Sequence, residues 1–285
     1  MRPFTLFSFV SVWAALACVQ AAPSVGCGTA PPDTLVSLEV EGRTRTFILG
    51  LPDAYNADTP HALVLAFHGR TSPADEVRDY YDLEAYAPDT LGPTLFVYPV
   101  ALTQNDGTFG WWNAGDAPDA LRDFGLFDAL LERLGETYCV DTGNIYAVGH
   151  SLGGSFVNAL GCHRAGVLRA VASLGSGPAA GTCRGAVAAM VLHNPDDELV
   201  AFSYGVSARD QYLAQNGLSG PPTPTEPRSL NCRRYGAAAG VADPGPDPVL
   251  WCPHAQSYSY GGRYYPHNWP AATGAAVMRF FASLP

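Results

Sequence analysis

Residues 37–51, SLEVEGRTRTFILGL, alternate apolar and polar side chains on either side of Glu41-Gly42. A period of two with a glycine-bearing break in the middle predicts an antiparallel hairpin. Residues 62–67 (ALVLAF) and 94–101 (TLFVYPVA) are unbroken apolar runs. So are 144–149 (NIYAVG), 169–175 (RAVASLG) and 188–193 (AAMVLH). Short runs of this kind predict strands buried on both faces. Between them, residues 119–134 (DALRDFGLFDALLERL) repeat apolar positions at helical spacing, and 152–160 and 271–284 read as further helices. Strands and helices in alternation predict an α/β fold of one domain, with a mostly parallel central sheet and helices on both faces. Residues 217–246, rich in Pro and Gly, read as a long surface excursion.

The first 24 residues, MRPFTLFSFVSVWAALACVQAAPS, run from one Arg through an apolar stretch to small residues. That order predicts a secretory signal over 1–21, cut after Ala21, leaving a single domain over 22–285. No later segment is long and apolar enough to span a bilayer. Loss of the signal removes Cys18 and leaves Cys27, Cys139, Cys162, Cys183, Cys232 and Cys252. An even set in an exported chain predicts about three disulfides. The expected pairs are Cys232 with Cys252, Cys139 with Cys162 at the base of the sheet, and Cys27 with Cys183. The cysteines and histidines do not fall at the spacing of a structural zinc site, so no metal is expected. The net charge is −10, every cation is an Arg, and there is no basic run to engage nucleic acid. A neutral substrate, or one borne by a solid polymer, fits this balance better.

Chemistry enters with AVGHSLGGSF, in which residues 149–153 read G-x-S-x-G between a predicted strand and a predicted helix. Such a turn holds a serine hydroxyl out at the carboxyl end of a sheet, above a helix N-terminus that favours negative charge. Ser151 is therefore the expected nucleophile. A serine needs a base, and in this context the chain order is serine, acid, histidine. Of the four histidines downstream, His163 lies on the following helix and His193 ends a strand and structures its turn. His267 in YYPHNWP, just before the last helix, is expected to be the base, ahead of His254. LHNPDDELV supplies the acid, and spacing alone leaves Asp196 and Asp197 equal. An oxyanion hole needs two backbone N–H groups: that of Leu152, after the nucleophile, and that of Arg70 in the loop HGRT. No organic cofactor is needed for this chemistry. Trp111, Trp112, Tyr258, Tyr260, Tyr264, Tyr265 and Trp269 are candidate substrate contacts, with Trp112 and Trp269 ahead of the others.

On AFHGRT, GTFGWWN, YCVDTGNIYAVGHSLGG, LGCHRAGVLRAVASLG, LHNPDDELV and HNWP, the chain resembles the secreted esterases that include feruloyl esterases and polyhydroxybutyrate depolymerase-like enzymes. The resemblance covers most of residues 22–285. It implies an α/β-hydrolase fold and hydrolysis of carboxylic esters through an acyl-enzyme. In these families the acid lies four residues after a strand-ending His, which selects Asp197, and the His of the H-x-W-P segment is the base, which matches His267. Asn194 and Pro195 stand where many members have glycine and a small residue, and the aromatic segment before HNWP is longer than usual. The expected substrate is a hydroxycinnamate (feruloyl) ester of plant-wall polysaccharide, with an aliphatic polyester as the alternative. A lipase is disfavoured by the lack of an apolar lid run, and a peptidase by the lack of a cap domain. A catalytically silent polymer-binding module is disfavoured because Ser151, an acid and His267 are all present.

Overall fold

The computed structural model describes residues 22–31, 35–53, 55–111, 122–236, 247–256, 258–260 and 263–285. The expected signal over 1–21 lies outside them. Ten strands form the main sheet: β1 (Ser37–Val40), β2 (Arg43–Gly50), β3 (His61–Phe67), β4 (Thr94–Pro99), β5 (Val140–His150), β6 (Ala170–Leu174), β7 (Ala188–His193), β8 (Thr223–Pro224), β9 (Arg233–Tyr235) and β10 (Val249–Pro253). Their order is β1-β2-β4-β3-β5-β6-β7-β10-β9-β8. The block from β4 to β10 is parallel, and antiparallel pairs close it at both edges.

The predicted hairpin is β1–β2, with Val40 paired to Arg43. Glu41 (φ 50°) and Gly42 (φ 73°) both take positive φ, the turn whose twist matches two paired strands. The unbroken apolar run of β3 divides between two cores. Leu63, Leu65 and Phe67 face one side of the sheet, and Val64 and Ala66 the other. The first side is covered by α2 (Arg122–Thr137), α3 (Leu152–His163) and α4 (Phe202–Gln215), and the second by α1 (Ala74–Tyr81) and α5 (Thr273–Ala282). Among the described residues, no helix is long and apolar enough to cross a membrane.

Two expectations are corrected. The excursion over 217–246 carries sheet structure: its β8 and β9 extend the sheet antiparallel beyond β10, while 237–246 lie outside the described residues. The disulfides are Cys27–Cys139, Cys162–Cys183 and Cys232–Cys252, so only the last of the expected pairs holds. Hydrogen bonding to neighbouring segments decides the other two. Ser24 N–H donates to the Val140 carbonyl, laying the N-terminal segment beside the start of β5 and Cys27 against Cys139. Arg184 N–H donates to the Cys162 carbonyl, which brings the 183 loop to the end of α3. Three disulfides fit a protein of an oxidising, extracellular compartment.

Candidate active site

β5 ends at His150 and α3 begins at Leu152, so the chain reverses direction at Ser151. Ser151 sits at φ 58°, ψ −123°, a conformation that side chains avoid and that costs about 1–3 kcal/mol. Its N–H donates to the Leu174 carbonyl of β6 at 2.9 Å, which fixes the turn to the sheet. The glycines permit the close approach. A methyl group at Gly149 would stand 2.6 Å from the Gly153 carbonyl, and one at Gly153 would collide with the carbonyl oxygen of Phe67.

His267 reaches this turn from the loop before α5. Its Nε2 is 2.9 Å from Ser151 Oγ, and its Nδ1 is 2.6 Å from Asp197 Oδ2. Asp197 is buried while its neighbour Asp196 is exposed. The other oxygen of Asp197, Oδ1, accepts the N–H groups of Leu199 and Val200, both at 2.9 Å. Burial opposes the charge on Asp197, but the His267 hydrogen bond and these two N–H groups outweigh it. The carboxyl stays below its usual range and is ionised at neutral pH. An ionised Asp197 takes Nδ1–H, which leaves Nε2 of His267 as the acceptor for the serine proton.

Three further histidines pack around this pair. His193 donates Nε2–H to the Val200 carbonyl (2.9 Å) and so braces the acid loop, as expected of it. His254 is fully buried, and burial pushes its pKa down to about 4. The His150 ring lies 4.7 Å from that of His267, and burial holds it well below the usual imidazole range.

The loop at His68–Arg70 stands across from Ser151, with a Gly69 methyl position 3.4 Å from Ser151 Cβ. Its three successive carbonyls are each engaged. Trp111 Nε1–H donates to the His68 carbonyl (2.8 Å), the His68 ring to that of Gly69 (2.7 Å), and Phe109 N–H to that of Arg70 (2.8 Å). Ala101 N–H donates to His68 Nε2 at 3.0 Å, so the ring proton of this neutral imidazole is on Nδ1. Burial lowers the His68 pKa in keeping with that tautomer. The Arg70 side chain turns outward to Asp106 (2.7 Å), leaving its backbone as the part near the site. Leu152 is the first residue of α3, where an N–H has no acceptor within the helix. The scaffolding roles of His68 and Trp111 were not read from sequence, although both lie in the stretches AFHGRT and GTFGWWN.

Of the aromatic candidates, Trp112 lies outside the described residues. Trp269 is not at the surface. It is 3% exposed and stacks on Tyr81 with ring centroids 3.9 Å apart, and its backbone N–H donates to the Tyr80 hydroxyl. Its apolar ring finds more to bury against α1 than in a cleft, and it ties the His267 loop to that helix. Trp111 is likewise buried, between Phe67 and Phe156. Tyr265 is exposed, with its ring edge-on to His267 at 6.4 Å. A separate cavity of about 280 Å³, lined by His61, Asp141, Tyr146 and Phe281 among others, lies at the opposite end of the sheet from Ser151.

A strained strand-to-helix turn bearing a serine at the carboxyl end of a mostly parallel sheet is the arrangement of the α/β-hydrolase fold. No protein-family model matches the chain. It is similar to the probable feruloyl esterase C of Aspergillus flavus, at 32% identity over 217 residues, covering 73% of this chain and 74% of that protein. Feruloyl esterase D of Neurospora crassa is 28% identical over 289 residues, covering 94% of this chain and 93% of that protein. Among solved structures, acetyl xylan esterase from Aspergillus awamori matches with a TM-score of 0.62 over 84% of this chain and 94% of that one, at 10% identity, a likeness of fold alone. The chain belongs to the feruloyl esterase family.

Proposed function

We propose that the protein, exported by a signal over residues 1–21, cleaves hydroxycinnamate (feruloyl) esters borne by plant-wall polysaccharide. The observation that carries the mechanism is the unbroken hydrogen-bond line from Ser151 Oγ through His267 to Asp197. Ser151 Oγ attacks the ester carbonyl while His267 Nε2 takes its proton. The imidazolium so formed is stabilised by ionised Asp197. The N–H groups of Leu152 and Arg70 receive the negative charge that develops on the carbonyl oxygen. The tetrahedral intermediate collapses, the bond to the alcohol oxygen breaks, and His267 gives its proton to that oxygen. Water then enters, loses a proton to His267, and releases the acid and Ser151 by the same steps reversed. The likeness to feruloyl esterases of Aspergillus flavus and Neurospora crassa supports a feruloyl acyl group.

The test compares turnover of methyl ferulate with that of a hydroxybutyrate oligomer, for the wild type and for Ser151→Ala. Wild type is expected to favour methyl ferulate. Ser151→Ala is expected to lose kcat by several orders of magnitude, up to ~10⁶ as in triad knockouts elsewhere. Preference for the oligomer would replace the substrate reading by the polyester alternative. Retention of a tenth of the activity by Ser151→Ala would remove the mechanism.

A further inference from the structure

We propose that Leu199, Tyr204 and Tyr265 form the subsite for the alcohol half of the ester, and that this half is a neutral glycosyl ring stacked on the tyrosines. The proposal rests on the feruloyl-polysaccharide reading above. Leu199, Tyr204 and Tyr265 are three of the seven large hydrophobic side chains exposed among the described residues, and each belongs to or packs on a segment that touches the triad: the acid loop, the base loop or the stretch from Gly175 to Gly177. Leu199 is 67% exposed, yet its own N–H is bonded to Asp197 Oδ1. Tyr265 is two residues before His267 and presents its ring at right angles to the imidazole. Tyr204, 56% exposed, comes from α4 and lies over Gly177, where a methyl group would stand 3.0 Å from its Cδ1. Gly177 follows Gly175 by two residues, and a methyl at Gly175 would touch the His267 ring at 3.2 Å.

The chemistry of proton delivery decides which half of the substrate meets this surface. His267 Nε2 must approach the leaving oxygen to within about 3 Å to protonate it. The carbonyl oxygen must point the other way, toward the N–H groups of Leu152 and Arg70. The alcohol therefore leaves on the His267 side, over the loops that carry Leu199 and Tyr265, with Tyr204 next along the surface. A tyrosine offers a flat apolar face and a hydroxyl, which suits the C–H face and hydroxyls of a sugar ring. None of the three carries charge, which suits a neutral polyol, and the exposed Asp196 and Glu198 on the same acid loop disfavour an anion. The floor under Tyr204 is rigid. Buried Asn158 donates through Nδ2 to the Gly177 carbonyl (2.7 Å) and to Ser176 Oγ (3.2 Å), and its Oδ1 accepts from Tyr212 (3.1 Å). A platform already ordered before binding loses little conformational freedom when the ring docks.

The experiment holds the acid constant and changes only the alcohol. kcat/KM is measured for methyl ferulate and for the ferulate ester of a neutral oligosaccharide. Wild type should favour the glycosyl ester by about ten-fold or more. The double variant Tyr204→Ala/Tyr265→Ala should lose about ten-fold of that ratio, chiefly through KM of the glycosyl ester. Tyr204→Phe/Tyr265→Phe, which keeps the rings, should stay within about three-fold of the wild-type ratio. A wild type indifferent to the alcohol, or an alanine variant that keeps the wild-type ratio, overturns the subsite. If ferulate esters are not turned over at all, the feruloyl reading fails by itself. The same ratio is then taken with the acetyl esters of the two alcohols, where the subsite requires the same loss.

Discussion

Asp196 and Asp197 adjoin in sequence and differ in environment. Asp196 is exposed, while Asp197 is buried against His267 and two backbone N–H groups. Spacing could not separate them; burial does. Asp197→Asn keeps the shape but offers the imidazole the wrong partner, and in a comparable triad such a change lowers kcat by about 10⁴. Asp196→Asn should stay within a few-fold of wild type. Both variants measured on one soluble aryl ester decide the matter, and a larger loss at Asp196 would falsify the assignment. Gly153 makes a second residue-scale case. A side chain there meets the Phe67 carbonyl of β3, a backbone group that cannot step aside. Gly153→Ala is expected to destabilise the protein by about 3 kcal/mol or more, read as a lower urea midpoint.

At the scale of elements, legibility followed how each one buries its surface. β3 and β7 were readable because a strand covered on both faces must be apolar throughout, as HALVLAF and AAMVLH are. α4, FSYGVSARDQYLAQ, was not, because the residues it buries are Gly205, Ala208 and Tyr212, and small residues leave no apolar stripe. α1 likewise buries only Ala74, Val77 and Tyr81 within an acidic stretch. Ser151 and His267 stood out because a short motif fixes each against a strand or helix end. The tasks of His68 and Trp269 depend on contacts made by distant segments, which no local pattern contains. The same holds for the disulfides, and their stabilising effect is predictable once the pairs are known. Cys27–Cys139 spans 112 residues and Cys232–Cys252 spans 20. If restriction of the unfolded chain dominates, the longer loop stabilises more, by about 1–2 kcal/mol. Replacing both cysteines of each pair by serine and comparing urea midpoints tests this. A larger loss on removing Cys232–Cys252 would show that local strain relief or packing, and not loop length, governs these bonds.

At the scale of the whole molecule, the burial of neutral histidines predicts how the fold answers to acid. His68, His150, His193 and His254 all have pKa values lowered by burial. In the unfolded chain each titrates near ~6.5. Between that pH and the folded value, the unfolded state binds more protons, so stability falls as pH drops through this window. For His254 the folded value is about 4, which makes its share on the order of 3 kcal/mol by pH 4. Below the folded value both states are protonated and the loss stops. Asp197 works at lower pH. Its depressed pKa contributes stability that is present above the ordinary carboxylate range and is lost as pH falls through the folded value. Asp247 opposes the histidines. Burial raises its pKa, so the folded state binds the extra proton just above the ordinary carboxylate range, and stability there declines as pH rises. Four groups against one leave the histidines in control from about pH 6.5 to 4.5. Urea midpoints taken across pH 4.5–7.5 should therefore decline steeply on the acid side. His254→Gln, which removes one titrating group, should flatten that slope even if it lowers the midpoint at pH 7.5. A midpoint constant from pH 7.5 to 4.5, or a slope unchanged by His254→Gln, would mean that the buried histidines take up protons in the folded state as readily as in the unfolded one.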